Sequence, residues 1–192
     1  SVNAAISTVP ALNYGHDLEA LAQAVNKTTK LIFIANPNNP TGTYVGSEEL
    51  LRFLGRVPEK AITVLDEAYF EYVDNHDYPN GVELLERFPG LVVTRTFSKA
   101  YGLAGLRVGY AIASAAITEI LNRVRQPFNV NSLALAAAEA ALSDEQFVRV
   151  SREENIKGIN QLCRGFESLG LSWIPSSGNF ICVKVGSMAS QI

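Results

Sequence analysis

Lys99 lies in the stretch Thr94-Arg-Thr-Phe-Ser-Lys-Ala-Tyr-Gly-Leu-Ala-Gly-Leu-Arg-Val-Gly-Tyr110, just past an apolar run. Its neighbours are mostly small or hydroxylic. Ser98 precedes it directly, and Arg107 follows eight positions later. A lysine that attacks a carbonyl must be neutral, and a dry, low-dielectric seat favours the neutral amine. A hydroxyl and a guanidinium beside such a lysine suit an anionic group. Taken singly these residues say little, since most lysines and arginines are solvated surface charges.

Two further segments carry chemistry-bearing residues. Asn36-Pro-Asn-Asn-Pro-Thr-Gly42 follows an apolar run and reads as a tight turn. Asn39 precedes Pro40 and is a candidate for a cis peptide that would aim its amide into a site. Asp66-Glu-Ala-Tyr69 follows a second apolar run. A carboxylate at the end of a buried strand is costly unless paired. Alone, this Asp-Glu pair could serve a ring nitrogen, a metal or a helix N-terminus. The order decides: Asn39, Asp66, Lys99 and Arg107 each fall at or near the end of an apolar run. Strand ends in one sheet converge, so these residues can meet around one ligand. The set suggests a pyridoxal phosphate site, with the aldehyde on Lys99 and the phosphate on hydroxyls and guanidinium.

The elements that must position them are legible as alternating runs. Leu31–Ala35, Ile62–Leu65, Leu91–Thr94 and Val108–Ala113 read as strands, apolar throughout and suited to cover on both faces. Leu18–Val25 reads as a helix after the cap Asp17, and Ser47 as the cap of a helix over Glu48–Leu54. Ala115–Val124 and the alanine-rich Ser132–Leu142 read as helices, separated by Gln126-Pro-Phe-Asn129. Asp144–Leu169 reads as one long amphipathic helix closed by Gly170, and Asn179–Val185 as a strand in a new setting. The pattern implies an α/β layered domain over 1–150, followed over 151–192 by a linking helix and the start of a second domain.

Composition narrows the functional classes. The chain has 192 residues, 47% hydrophobic and 18% charged, which predicts a packed globular core. A net charge of −3 with no long basic run argues against nucleic acid as a partner. No apolar stretch is long enough to span a bilayer, so no membrane role is expected. Cys163 and Cys182 are read as free thiols of a reducing, cytoplasmic setting. His16 and His76 each adjoin an aspartate and read as loop or surface residues, with no metal spacing. A start at Ser1 without Met suggests a processed or partial chain.

Three motifs together carry a family resemblance: Ala35-Asn-Pro-Asn-Asn-Pro-Thr-Gly42, Val64-Leu-Asp-Glu-Ala-Tyr69 and Thr96-Phe-Ser-Lys-Ala-Tyr-Gly-Leu-Ala-Gly-Leu-Arg-Val-Gly109. The chain resembles the fold-type I pyridoxal-phosphate aminotransferases, and among them the histidinol-phosphate branch. Pro175-Ser-Ser-Gly-Asn-Phe180 is similar to that group's entry into its small domain. The resemblance implies a partial large domain, a mostly parallel sheet with one antiparallel strand and helices on both faces, plus the start of a small α+β domain. It implies that Lys99 bonds the cofactor aldehyde and moves the substrate's proton. Asp66 would pair with the pyridine nitrogen, and Tyr69 and Asn39 with the phenolic oxygen. Thr96, Ser98 and Arg107 would hold the phosphate; Glu67 would have a structural pairing only. The partners implied are a small-molecule amino donor and a keto acid, within a homodimer. An aromatic aminotransferase or a threonine-phosphate decarboxylase shares these motifs. Family members are longer, and nothing before Asn39 resembles their upstream phosphate loop. The chain therefore looks like the middle of such an enzyme, and a non-catalytic self-associating fragment is the reading of another class.

Overall fold

Three parallel strands and one antiparallel strand form the main sheet of the computed structural model, which describes residues 4–190. β1 (Leu31–Ala35), β2 (Ile62–Asp66), β3 (Leu91–Thr96) and β4 (Gly109–Ala113) lie side by side in chain order. The first three run parallel, and β4 returns antiparallel to β3. Register places Ala35 beside Asp66, and Asp66 beside Thr94. Thr96 pairs with Gly109. The carboxyl ends of β1, β2 and β3 therefore share one edge with the start of β4.

The helices form where caps and spacing direct them. α1 (Leu18–Ala24) starts at Asp17, whose carboxylate accepts the Ala20 amide at 2.8 Å. α2 (Ser47–Leu54) corrects one expectation, because its cap is Gly46 and Ser47 is its first helical residue. From that position the Ser47 hydroxyl does not cap; it donates to the Asp77 carbonyl at 2.8 Å. Glu48 and Glu49 still occupy the positive first turn. α3 (Ala115–Val124), α4 (Ser132–Leu142) and α5 (Glu145–Ser168) follow the sequence reading closely. α5 is capped by Asp144, and Gly170 at φ +66° ends it.

One face of the sheet packs on α1 and α2. Ile32, Ile34, Leu50, Phe53, Leu65, Leu91 and Val93 are buried there. Each such side chain contributes roughly 1.5–3 kcal/mol of burial free energy. A second cluster joins Phe97 and Val108 to Ala134 and Ala138 of α4. The expectation of cover on both faces fails at β1, where Leu31 and Phe33 are 53% and 67% exposed. β1 is one of the sheet's two edge strands.

After α5 a small antiparallel pair forms, β5 (Ser172–Ile174) with β6 (Cys182–Lys184). β6 is shorter than the Asn179–Val185 strand expected. Its partner has only three residues, and the segment before it turns back to the main sheet's edge. Cys163 and Cys182 are free and half-buried. Among the described residues no helix is long and apolar enough to cross a membrane, and no cluster has metal-ligand composition.

Candidate functional site

The shared strand edge gathers the chemistry-bearing residues. Asp66 ends β2 and Thr96 ends β3, while Ser98 and Lys99 begin the loop that follows. Asn39 sits in the turn after β1, and Arg107 precedes β4. The Asn36–Pro37 and Asn39–Pro40 peptides are both cis, the second as expected. Asn39 Nδ2 donates to the Tyr69 hydroxyl at 2.8 Å. Lys99 Nζ stands 5.3 Å from the centre of the Tyr69 ring. Tyr69 is thus the hub, itself only 4% exposed. Asn39, Asp66 and Arg107 are exposed, and Lys99 is half-buried.

The turn carrying Asn39 is held from below. The buried Asn36 amide donates to the Val45 carbonyl at 3.2 Å and accepts the Val45 amide at 2.8 Å. The Tyr78 hydroxyl donates to the Asn36 carbonyl. Burial and nearby carboxylates push that hydroxyl far up, so it stays a neutral donor.

Asp66 Oδ1 accepts from the Thr94 hydroxyl at 3.3 Å and the Ala68 amide at 3.2 Å. These bonds orient the carboxylate at the end of β2. On the far side of Lys99, Thr96 Oγ1 accepts the Ser98 amide at 3.0 Å. Arg107 Nη1 donates to the Ala104 carbonyl at 2.8 Å and lies 3.4 Å from Ser98 Oγ. Among the described residues no carboxylate forms an ion pair with Arg107. A guanidinium beside a hydroxyl, without a carboxylate partner, has the donor chemistry of a phosphate seat. The structure therefore places the expected residues in two groups, Asn39–Tyr69–Lys99 and Thr96–Ser98–Arg107. Chain continuity through Ser98–Lys99 joins them, and Asp66 lies one strand away.

Several contacts were not legible in the sequence, among them which residue pairs with Glu67. Thr94 sits beside Asp66 because strand register puts it there. Glu67 is fully buried and paired with Arg95, at 2.7 Å. Its burial pushes the carboxyl up against the pull of Arg95 and of the Gly81 amide. Phe180 packs edge-on against Tyr69, with ring centres 5.1 Å apart. The Ser177 amide donates to the Gly42 carbonyl at 2.8 Å. Asn155 of α5 holds the Gly178 carbonyl at 3.1 Å. The Pro175–Phe180 segment, noted in the sequence, thus returns to wall one side of the site.

Comparison with known proteins identifies the family and the fold. The model of the "Aminotransferase class I and II" family matches residues 2–192. A histidinol-phosphate aminotransferase 2 of Pseudomonas fluorescens (strain Pf0-1) is 56% identical over all 192 residues, which cover 52% of its length. The enzyme of the same name from Pseudomonas aeruginosa is 55% identical over the same span, again 52% of its length. Among solved structures, the histidinol-phosphate aminotransferase of Sinorhizobium meliloti in complex with pyridoxal-5'-phosphate superposes with a TM-score of 0.89. It is 35% identical over 96% of this chain and 50% of its own. The chain spans about half the length of the curated relatives it matches.

Proposed function

The chain belongs to the family of class I and II aminotransferases, and from that premise we propose that it forms the cofactor-holding part of a histidinol-phosphate aminotransferase. The reaction would move an amino group between glutamate or 2-oxoglutarate and histidinol phosphate or imidazole-acetol phosphate. The observation that carries the reading is Tyr69, which brings Asn39 to 2.8 Å and Lys99 to 5.3 Å at one strand edge. The identity of 56% to a histidinol-phosphate aminotransferase supports this branch over its sisters.

The residues fit pyridoxal phosphate. Thr96, Ser98 and Arg107 would take its phosphate, Asp66 its ring nitrogen, and Tyr69 with Asn39 its phenolic oxygen. Bound there, the cofactor supplies an aldehyde that accepts the amino group and a cationic ring that draws electrons from the substrate's α-carbon. The Asp66 carboxylate would keep the proton on the ring nitrogen, since an adjacent anion favours the charged form. Tyr69 accepts from Asn39, so its own O–H remains to donate toward the phenolic oxygen. Asn39 keeps a second N–H for the same direction. Lys99 Nζ would bond the cofactor's aldehyde carbon and is placed to move the proton at the substrate's α-carbon.

Residues 1–150 would belong to the cofactor-binding domain, and 151–192 would link it to a second domain through α5. The exposed Leu31 and Phe33, with Phe128 at 98% exposure, support a homodimer. A cytoplasmic setting fits the free Cys163 and Cys182. The test is spectroscopic. The full-length enzyme loaded with pyridoxal phosphate is mixed with histidinol phosphate, then with aromatic amino acids. Rapid bleaching of the visible band by histidinol phosphate alone is expected. Preference for the aromatic donors would overturn the branch assignment.

A further inference from the structure

We propose that the buried Glu67–Arg95 pair is a positioning device for Tyr69, and through Tyr69 for Asn39. Its consequence for catalysis rests on the aminotransferase reading; its geometry does not. Tyr69 is bracketed in the chain by Glu67 and Phe70, and one guanidinium grips both. Arg95 Nε and Nη2 donate to Glu67 Oε2 at 2.9 and 2.7 Å. The same guanidinium carbon stands 3.5 Å from the centre of the Phe70 ring. Gly81 N donates to Glu67 Oε1 at 2.8 Å, and Asn80 Oδ1 accepts from Arg95 Nη2 at 2.7 Å.

Strand alternation keeps this cluster off the reacting face. Asp66 and Thr94 point to one side of the sheet, and Glu67 and Arg95 to the other. The pair therefore acts through the backbone. Phe70 N donates to the Glu67 carbonyl at 3.0 Å, closing the turn that presents Tyr69. Tyr69 has φ −117° and ψ 15°, in neither a strand ladder nor an α-helix, so its direction depends on its brackets. Stability alone is a poor reason for such a pair. Taking two charges out of water carries a large desolvation cost, and apolar replacements are often neutral or stabilising. Holding a carboxylate and a ring at once needs a planar fork with a stacking face, which arginine has and lysine lacks.

The test reads the cofactor-free chain. In a 15N-labelled sample, Asn39→Asp identifies the Asn39 side-chain amide signals, and Tyr69→Phe marks their position when the contact is broken. Arg95→Lys keeps the charge but loses the fork and stack; Phe70→Leu removes the ring without touching a charge. We expect Arg95→Lys to move the Asn39 signals more than halfway to the Tyr69→Phe position, and Phe70→Leu part of the way. If both variants melt earlier yet leave the Asn39 signals in place, the pair is only structural and the proposal falls. If Arg95→Lys does not fold, Phe70→Leu decides by the same criterion. Borohydride reduction after adding pyridoxal phosphate runs alongside. A missing adduct on Lys99 in the unsubstituted chain counts against Lys99 as the cofactor-bearing residue and leaves the Asn39 result standing.

Discussion

Replacing Gly42 with alanine should loosen the packing of the Asn36–Gly42 turn against the segment leading to β6. Gly42 has φ +76°, and a Cβ there would lie 2.0 Å from Ser176 Oγ, 2.5 Å from its Cβ and 2.8 Å from its Cα. The left-handed backbone costs an L-residue roughly 1–2 kcal/mol. Forcing the methyl into a filled space costs roughly 1–3 kcal/mol more. The sum, about 2–5 kcal/mol, corresponds to a fall of roughly 4–20 °C in melting midpoint for a chain of this size. Urea unfolding followed by circular dichroism measures it. Loss of protection at the Ser177 amide, which donates to Gly42 at 2.8 Å, localises it. Adding Ser176→Gly removes the two nearest atoms. It leaves the crowding by the main chain at position 176 and the cost of the left-handed turn, so recovery should be partial. A Gly42→Ala protein within about 0.5 kcal/mol of the parent would mean that neither the turn nor Ser176 resists the methyl. Complete rescue by Ser176→Gly would show that the backbone conformation costs nothing.

Three further outcomes are expected. Glu71 has a buried Oε2 with no hydrogen-bond partner among the described residues, and burial pushes its carboxyl above the usual range. The folded state then holds that proton more tightly than the unfolded state, so stability is full below pH 4.5 and falls as pH rises through the raised value. Glu71→Gln should raise the melting midpoint at neutral pH, with the gain vanishing below pH 4.5; an equal gain at both would contradict it. Arg107→Ala should weaken pyridoxal phosphate binding about 10- to 100-fold in equilibrium dialysis, the worth of a charge-assisted hydrogen bond. Unchanged binding would remove Arg107 from the phosphate seat. Phe33 is 67% exposed on the uncovered side of β1. Phe33→Thr, which keeps strand propensity, should weaken self-association in sedimentation while stability stays within about 0.5 kcal/mol.

What was legible in the sequence was local or chemical in kind. Asp17 and Asp144 cap helices because a carboxylate reaches an amide three residues on, a relation held within one turn. The four strands announced themselves as apolar runs, and their order put Asn39, Asp66, Lys99 and Arg107 at one edge. The Glu67–Arg95 bond joins residues 28 apart, across two strands, and no periodicity reports such a pairing. Phe180 on Tyr69 depends on how a segment after α5 folds back, which is likewise a tertiary fact. Ser47 fails as a cap for a subtler reason: the helix takes in one more residue, and the Asp77 carbonyl captures its hydroxyl. The open side of β1 escaped notice because an apolar run predicts burial without naming what provides it.

Lys99 is the residue proposed to carry pyridoxal phosphate. The direct measurement is borohydride reduction of the chain with added cofactor, followed by peptide mass spectrometry. One phosphopyridoxyl group is expected, on Lys99, lost in Lys99→Ala and weakened in Arg107→Ala. A label spread over surface lysines, or an unchanged label in Lys99→Ala, would contradict it.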